Sequence, residues 1–359
     1  MANETARLDA LKKVLGSKDK FPYLATDLVN IRYITGFTGT YARLVVDENK
    51  SYLISDSRYE EYARAILPGP IEFILQGNNP FAALKKALAG MKKRRLFVEE
   101  HNMPLSYFLS IKKELRGVTV IPGGDEINRI RMIKDDDEIG CLREAARITD
   151  NCMSHLAGFI KPGMIEWDVA VEIEFFFRRN GCRKSSFDAI VASGGGSSMP
   201  HYETSMAKKI LNDDVIIIDM GCEYRGYNSD LTRTIFMGSV DSFLREIYSI
   251  VRDAQAKAVS LAGPGVTTGR LDREARDYIR KKGFGKHFGH SLGHGLGLEV
   301  HELPAVKAGN IRLKKNMVIT IEPGIYLPQR GGVRIEDMVL ITENGCEALT
   351  RFSRDFVVI

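Results

Sequence analysis

The chain has 359 residues, 44% of them hydrophobic and 27% charged, with a formal net charge of +5. That length exceeds the usual single-domain mode of about 100–150 residues and predicts two domains, each with enough sequence for a core. No apolar run reaches the roughly 18–20 residues of a membrane span, and the polar start MANETARLDALKKVLGSKDK lacks the apolar block of a signal peptide, so a cytoplasmic protein with no membrane partner is expected.

Near the start, ATDLVNIRYITGF and TYARLVVDENKSYLISDSRYEEYARAIL alternate strand-like apolar runs with turn residues before a helical pattern, as in a small α/β layer domain. A similar unit follows: NPFAALKKALAGMKKRRLFVEE reads as helix then strand, LSYFLSIKKEL as helix and VTVIP as strand. Basic residues are concentrated in this first part, and KKRR at 92–95 is their main cluster. A nucleic-acid footprint needs a longer basic stripe with interleaved aromatics, so the run reads as a solvated loop or helix end and no nucleic-acid partner is expected. In GGDEINRIRMIKDDDEIGCLREAARITDNCMSHLAGF a turn-rich stretch gives way to a long helix. Its residues Ile139, Leu142, Ile148, Met153 and Leu156 recur near a 3.6-residue period behind the acidic start Asp135 to Asp137. The domain boundary falls near 127–133, dividing the chain into 1–130 and 131–359.

The second domain continues with helices in EWDVAVEIEFFFRRNG, closed by Gly181, and later in SFLREIYSIVRDAQAKAVSLAG and RLDREARDYIRKKG. Strands FDAIVAS, VIIIDMGCEY, YNSDLTRTIFMG, MVITIEPGIY and VRIEDMVLIT lie between and after them. Helices grouped around a largely antiparallel sheet make an α+β arrangement. The glycine-rich SGGGSS at 193–198 is followed neither by G-K-[ST] nor directly by a helix, so it reads as a turn that positions His201 rather than a phosphate cradle. The five cysteines are odd in number, scattered and never spaced C-x-x-C, which argues for reduced, packed thiols and against a disulfide framework or thiolate zinc site.

Acids recur where strands should exclude them. In VIIIDMGCEYRGYNSDLTRT two strands flank a turn near Tyr224 and Arg225, and a register centred there sets Asp219 directly opposite Asp230. Facing carboxylates destabilise a hairpin, and burying one uncompensated raises its pKa or unfolds the strand. A shared cation resolves the conflict. Glu322 ends the strand MVITIE just before Pro323 and Gly324, and in GGVRIEDMVLIT the two-residue period places Arg334 and Glu336 on one face. Together Asp219, Asp230, Glu322 and Glu336 contribute four negative charges, which two divalent ions neutralise, and one imidazole would leave coordination open for a bridging hydroxide. Oxygen-rich ligation with a single nitrogen favours Mn²⁺, with Co²⁺, Zn²⁺ and Fe²⁺ as alternatives. GHSLGHGLGLEVHE, at 289–302, holds three of the seven histidines among glycines that discourage a helix.

The order IIIDMG, SDLTRT, GHGLGLEVHE, ITIEPGIY and VRIEDMVLIT resembles the M24 metallopeptidase family, in its aminopeptidase P and prolidase branch, and NIRYITGF and LISDSRYEEYA look like that family's amino-terminal domain. The resemblance implies a pita-bread catalytic domain, a curved and mostly antiparallel sheet with helices, preceded by a smaller creatinase-like α/β domain. Carried over by position, Asp219 binds one metal, Asp230 and Glu336 bridge both, and His294 and Glu322 complete the second. His201 and His301 fall on substrate-handling histidines, His290 on a histidine upstream of the ligand, and Arg334 on a basic residue that holds a downstream carboxylate or carbonyl. Leu298 and Val300 are expected to pack away while His301 faces the cleft, and His101, His155 and His287 to be incidental.

The function so implied is hydrolysis of the bond between an N-terminal residue and proline, of the Xaa-Pro aminopeptidase type, through a hydroxide bridging two metal ions. Glu322 would carry the proton to the leaving nitrogen. A prolidase restricted to dipeptides is the alternative, and a non-catalytic peptide-binding module of the same fold a remote one. Methionine aminopeptidases fit less well because they usually lack such an amino-terminal domain, and creatinase works without the metal ligands. The partners implied are peptides with proline in second position and a second copy of the chain, as a homodimer.

Overall fold

The computed structural model describes residues 2–89, 94–239 and 241–359, so Lys92 and Lys93 of the KKRR run lie outside the described residues. Arg95, at the end of that run, pairs with Asp19. The chain divides into two compact units, Met1–Arg131 and Met132–Ile359.

In the smaller unit six strands form one mixed sheet: β1 (Tyr23–Ala25), β2 (Arg43–Val46), β3 (Ser51–Ser55), β4 (Ile71–Leu75), β5 (Arg95–Val98) and β6 (Thr119–Pro122), in the order β4-β3-β2-β1-β5-β6. Around it lie helices α1 (Ala2–Ser17), α2 (Leu28–Thr35), α3 (Glu60–Ile66), α4 (Pro80–Leu88), α5 (Leu105–Glu114) and α6 (Glu126–Arg131). Two of these differ from the sequence reading. The apolar run LVNIRYIT is helical, because Asp27 caps the Val29 N–H at one end and Gly36, at φ 74°, accepts the left-handed turn at the other. The polar start is also a helix, anchored by Leu8, Leu11 and Leu15, which are fully buried. Leu24, Val45, Ile54, Leu84, Leu96 and Ile111 belong to this unit's own core.

The larger unit begins with α7 (Asp136–Phe159), started by a capping box between Asp135 and Glu138. Then come α8 (Glu166–Arg179), β7 (Lys184–Ser185), β8 (Ile190–Ser193), β9 (Val215–Met220), β10 (Cys222–Tyr224), β11 (Tyr227–Asn228) and β12 (Leu231–Phe236). After α9 (Ser242–Leu261) and α10 (Thr268–Lys281) follow β13 (Gly293–Gly295), β14 (Glu302–Val306), β15 (Val318–Ile321), β16 (Gly324–Leu327), β17 (Gly331–Arg334), β18 (Asp337–Ile341), β19 (Cys346–Ala348) and β20 (Val357–Val358). They form sheets ordered β20-β12-β9-β8, β11-β10-β7, β14-β13-β15-β18-β19 and a β16-β17 ribbon. Except for β20 beside β12, the pairings in this unit are antiparallel. Helices α9 and α10 bury Ile247, Val251, Leu271 and Ile279 against Ile319, Ile335 and Val339, so the apolar side of the sheets is sealed by helices and their other side is left for polar groups.

Two expected strands are each broken. MVITIEPGIY becomes β15 and β16, and VRIEDMVLIT becomes β17 and β18, with Glu322 and Glu336 at the breaks.

Candidate metal centre

The β9–β12 hairpin turns at Arg225 and Gly226, both at positive φ, one residue later than the sequence register assumed. Asp219 therefore faces Thr232, not Asp230. Because Tyr224 pairs with Tyr227 and Met220 with Leu231, the same register runs through the irregular middle and sets Asp230 opposite Gly221. The shift is of two residues, which preserves the face, so Asp219 and Asp230 remain on one side as diagonal neighbours. Gly221 is needed there, since a Cβ would lie 1.8 Å from the Ser229 carbonyl oxygen.

A directly opposed acid pair does exist, in the other hairpin. Ile321 pairs with Asp337 and Gly324 with Arg334, so one ladder spans both breaks and Glu322 falls opposite Glu336. Neither uses the other's backbone: the Glu322 N–H donates to the Leu292 carbonyl and the Glu336 N–H to the Thr232 carbonyl. Both glutamates are thus drawn from their own ladder toward neighbouring strands, which bring His294 and Asp230.

His294 sits mid-strand between Gly293 and Gly295. A Cβ on Gly293 would meet the Thr320 carbonyl oxygen at 2.1 Å, which explains why glycine flanks the imidazole: β13 is squeezed against β15. The ring Nδ1 lies 3.1 Å from the Gly295 carbonyl oxygen. A carbonyl only accepts, so Nδ1 carries the hydrogen and Nε2 presents its lone pair. Nε2 looks at Glu322 Oε1 at 3.5 Å and Asp230 Oδ2 at 3.6 Å. Burial, with the neighbouring His301, holds the imidazole down to about 4, so it is neutral at pH 7 and cannot offset those acids.

The carboxylates crowd each other. Burial first, then Glu336, Asp219 and Glu322, raises Asp230 well above the ordinary carboxylate range; burial and Glu336 do the same to Glu322. Glu336 is pushed up to about 8 by burial and Asp219. Asp219 accepts from Arg334 Nη2 at 2.5 Å through Oδ2, while its buried Oδ1 has no hydrogen-bond partner. One ligand atom each from Asp230, His294 and Glu336 lies within 4.8 Å of the others. Lone pairs converging on lone pairs, with an orphaned oxygen beside them, fit divalent cations and little else.

All nine expected residues (His201, Asp219, Asp230, His290, His294, His301, Glu322, Arg334 and Glu336) line one cleft of about 550 Å³. His201 and His301 are exposed at its rim, and the His301 ring lies 4.3 Å from that of His294. His290 is tied by Nε2 to the Tyr326 hydroxyl at 3.0 Å. Arg334, 4% exposed, donates to Asp219, Thr232, Tyr326 and the Pro200 carbonyl. Val300 lines the cleft beside His301 instead of packing away, because the chain from 297 to 301 bends and loses strand alternation; Leu298 does pack on the core. His101 and His155 pair with Asp125 and Glu172, and His287 with the Tyr326 carbonyl; none of the three lines the cleft. The SGGGSS loop docks on the ribbon, where Ser197 Oγ accepts the Gly332 N–H. Sequence reasoning missed Thr232 and Tyr326, polar residues of ordinary strands, and the buried Lys134–Glu302 pair at 2.6 Å, Glu302 being a cleft residue. The adjacency of Glu302 to His301 was the one available signal for that pair.

Comparison with known proteins shows the family. Residues 140–343 match metallopeptidase family M24, and residues 7–133 match the creatinase/prolidase N-terminal domain. The chain is 38% identical over 356 residues to a Xaa-Pro dipeptidase of Pyrococcus horikoshii, covering 97% of this chain and 99% of that protein. Among solved structures it is similar to a Xaa-Pro dipeptidase from Bacillus anthracis (TM-score 0.96, 36% identity, 99% and 100% of the two chains). An X-Pro aminopeptidase from Thermotoga maritima is also similar (TM-score 0.89, 36% identity, 98% and 99%). The larger unit thus has the pita-bread fold and the smaller one the creatinase-like fold. With both units matched, the chain belongs to metallopeptidase family M24 and is a peptidase of the hydrolase class.

Proposed function

We propose that this peptidase cleaves the bond between an N-terminal residue and proline, acting on dipeptides, with two divalent ions held by Asp219, Asp230, His294, Glu322 and Glu336. The observation that carries the reading is the neutral His294 Nε2 lone pair facing two carboxylates at 3.5 and 3.6 Å, the partly buried Glu322 and the buried Asp230. When bound, such ions supply a water acidified toward neutrality and polarise the scissile carbonyl. Mn²⁺ suits the oxygen-rich set, with Co²⁺, Zn²⁺ and Fe²⁺ as alternatives.

The protein groups do the rest. His201 and His301 reach the cleft from its rim, where their N–H groups can hydrogen-bond charge developing on the carbonyl oxygen. Glu322 lines the cleft beside His294, where its carboxylate would pass a proton to the leaving nitrogen. Proline's tertiary amide has no N–H, so a site that asks for no donor there accepts it. Arg334 lines the same cleft with its guanidinium engaged by Asp219, Thr232, Tyr326 and the Pro200 carbonyl, so its charge serves first to hold Asp219 in place. The dipeptidase form is supported by the relatives' names; cleavage of longer peptides is the alternative, supported by the X-Pro aminopeptidase of equal identity. A cytoplasmic homodimer is the setting we propose for it.

The test is turnover of Ala-Pro and Ala-Pro-Ala by Mn²⁺-loaded protein. Ala-Pro should be split and Ala-Pro-Ala left largely intact, and Asp230→Ala should lose activity by at least about 100-fold. Undiminished turnover by that variant would refute the site.

A further inference from the structure

Thr232 is fully buried in β12, opposite Asp219, and carries no charge, yet its hydroxyl sits between two charged groups of the site. Its Oγ1 accepts from Arg334 Nε at 3.0 Å and lies 2.6 Å from Glu336 Oε2. A guanidinium only donates, so with Glu336 ionised the single hydroxyl proton must point to the carboxylate. The polarity of the chain Arg334 to Thr232 to Glu336 is therefore fixed. The same residue also accepts the Glu336 N–H on its carbonyl at 3.1 Å, and the next one, Arg233, donates to the Glu336 carbonyl. Two consecutive residues of β12 thus grip Glu336 at its N–H, its C=O and one carboxylate oxygen.

We propose that Thr232 is a positioning residue: its hydroxyl binds Glu336 Oε2 and fixes the rotation of that carboxylate in the orientation in which Glu336 would hold metal. This rests on the metal-binding reading of the site. A carboxylate that is to hold metal needs its oxygens in place beforehand, and a group that donates to one of them removes the rotation about the last side-chain bond. The backbone grip fixes where Glu336 starts, and the hydroxyl fixes where it ends. Without the hydroxyl, Arg334 Nε also loses its acceptor, so the guanidinium that holds Asp219 is loosened as well.

The experiment is calorimetric titration of chelator-stripped full-length protein with MnCl₂, comparing Thr232→Val, which keeps the shape, with Thr232→Ser, which keeps the hydroxyl. Thr232→Val should bind Mn²⁺ roughly 10–100-fold more weakly and lose kcat on Ala-Pro with KM little changed, while Thr232→Ser stays within about 3-fold of the parent. Equal Mn²⁺ affinity in Thr232→Val and the parent would overturn the proposal, and so would a Thr232→Ser as weak as Thr232→Val. Should Thr232→Val fail to fold, Thr232→Ala against Thr232→Ser decides on the same criterion. A parent chain that binds no Mn²⁺ would sink the metal reading itself, a result distinct from equal affinities.

Discussion

Glu336 keeps its proton up to about pH 8 in the metal-free fold, against an ordinary value of 4.5. Between those values the folded chain binds more protons than the unfolded one, so this group's contribution is complete below about 4.5 and is lost as pH rises toward 8. His290 and His294, both held down to about 4, act oppositely: they bind fewer protons when folded, and stability rises with pH until the unfolded value of 6.5 is passed. Above 6.5 only the acids remain in play. Metal-free protein should therefore lose thermal stability from pH 6.5 to 8, by up to about 1.4 kcal/mol per pH unit for one proton. On the proposed site Mn²⁺ would bind the ionised carboxylates, so the melting-temperature gap between loaded and stripped protein should widen over that range, as scanning calorimetry would show. A gap that narrows would contradict the site's electrostatics. At this scale the charged members were legible in the sequence, because an acid inside an apolar strand is conspicuous. Thr232 was not, since a threonine in a strand is what strands ordinarily contain.

Strand pairing decides which of those side chains meet. The sequence pointed to opposed acids in the first hairpin, and the structure has them in the second, Glu322 across from Glu336. The first error came from the turn: Arg225 takes a left-handed conformation that glycine and asparagine usually fill, so an arginine there does not mark the hairpin centre between Arg225 and Gly226. The breaks at Glu322 and Glu336 were equally hidden, because two strands that swap sheets look like two longer strands. The glycines around His294 were legible as a departure from helix, but their reason is cross-strand: the Thr320 and Leu303 carbonyls occupy the space of a Cβ. Gly293→Ala should thus displace β13, destabilise the fold by roughly 1–3 kcal/mol in denaturant titration and weaken Mn²⁺ binding together. Gly289→Ala, where a Cβ meets nothing within 4 Å, should do neither.

For the molecule as a whole, the division into two units of unequal size was readable from length, from the change to long helices, and from the turn-rich stretch between them. The helical nature of Ala2–Ser17 and of LVNIRYIT was not, as the former is polar and the latter short. Every residue of the proposed centre belongs to Met132–Ile359, and the smaller unit has a separate core. Calorimetric unfolding should accordingly contain a component that Mn²⁺ shifts upward, by about 2.7 kcal/mol at a free concentration 100 times Kd, and one that it leaves in place. A single transition moving as one body would show that the units unfold together.

The shared ladder through β15–β16 and β17–β18 ties the two glutamates to one mechanical event. If the ribbon pried away from the five-stranded sheet, Glu322 and Glu336 would separate from the cations simultaneously, so ion escape and ribbon breathing would have one rate. Amide deuterium uptake across 324–334 should then slow on adding Mn²⁺ and track the dissociation rate of the metal when a chelator is mixed in.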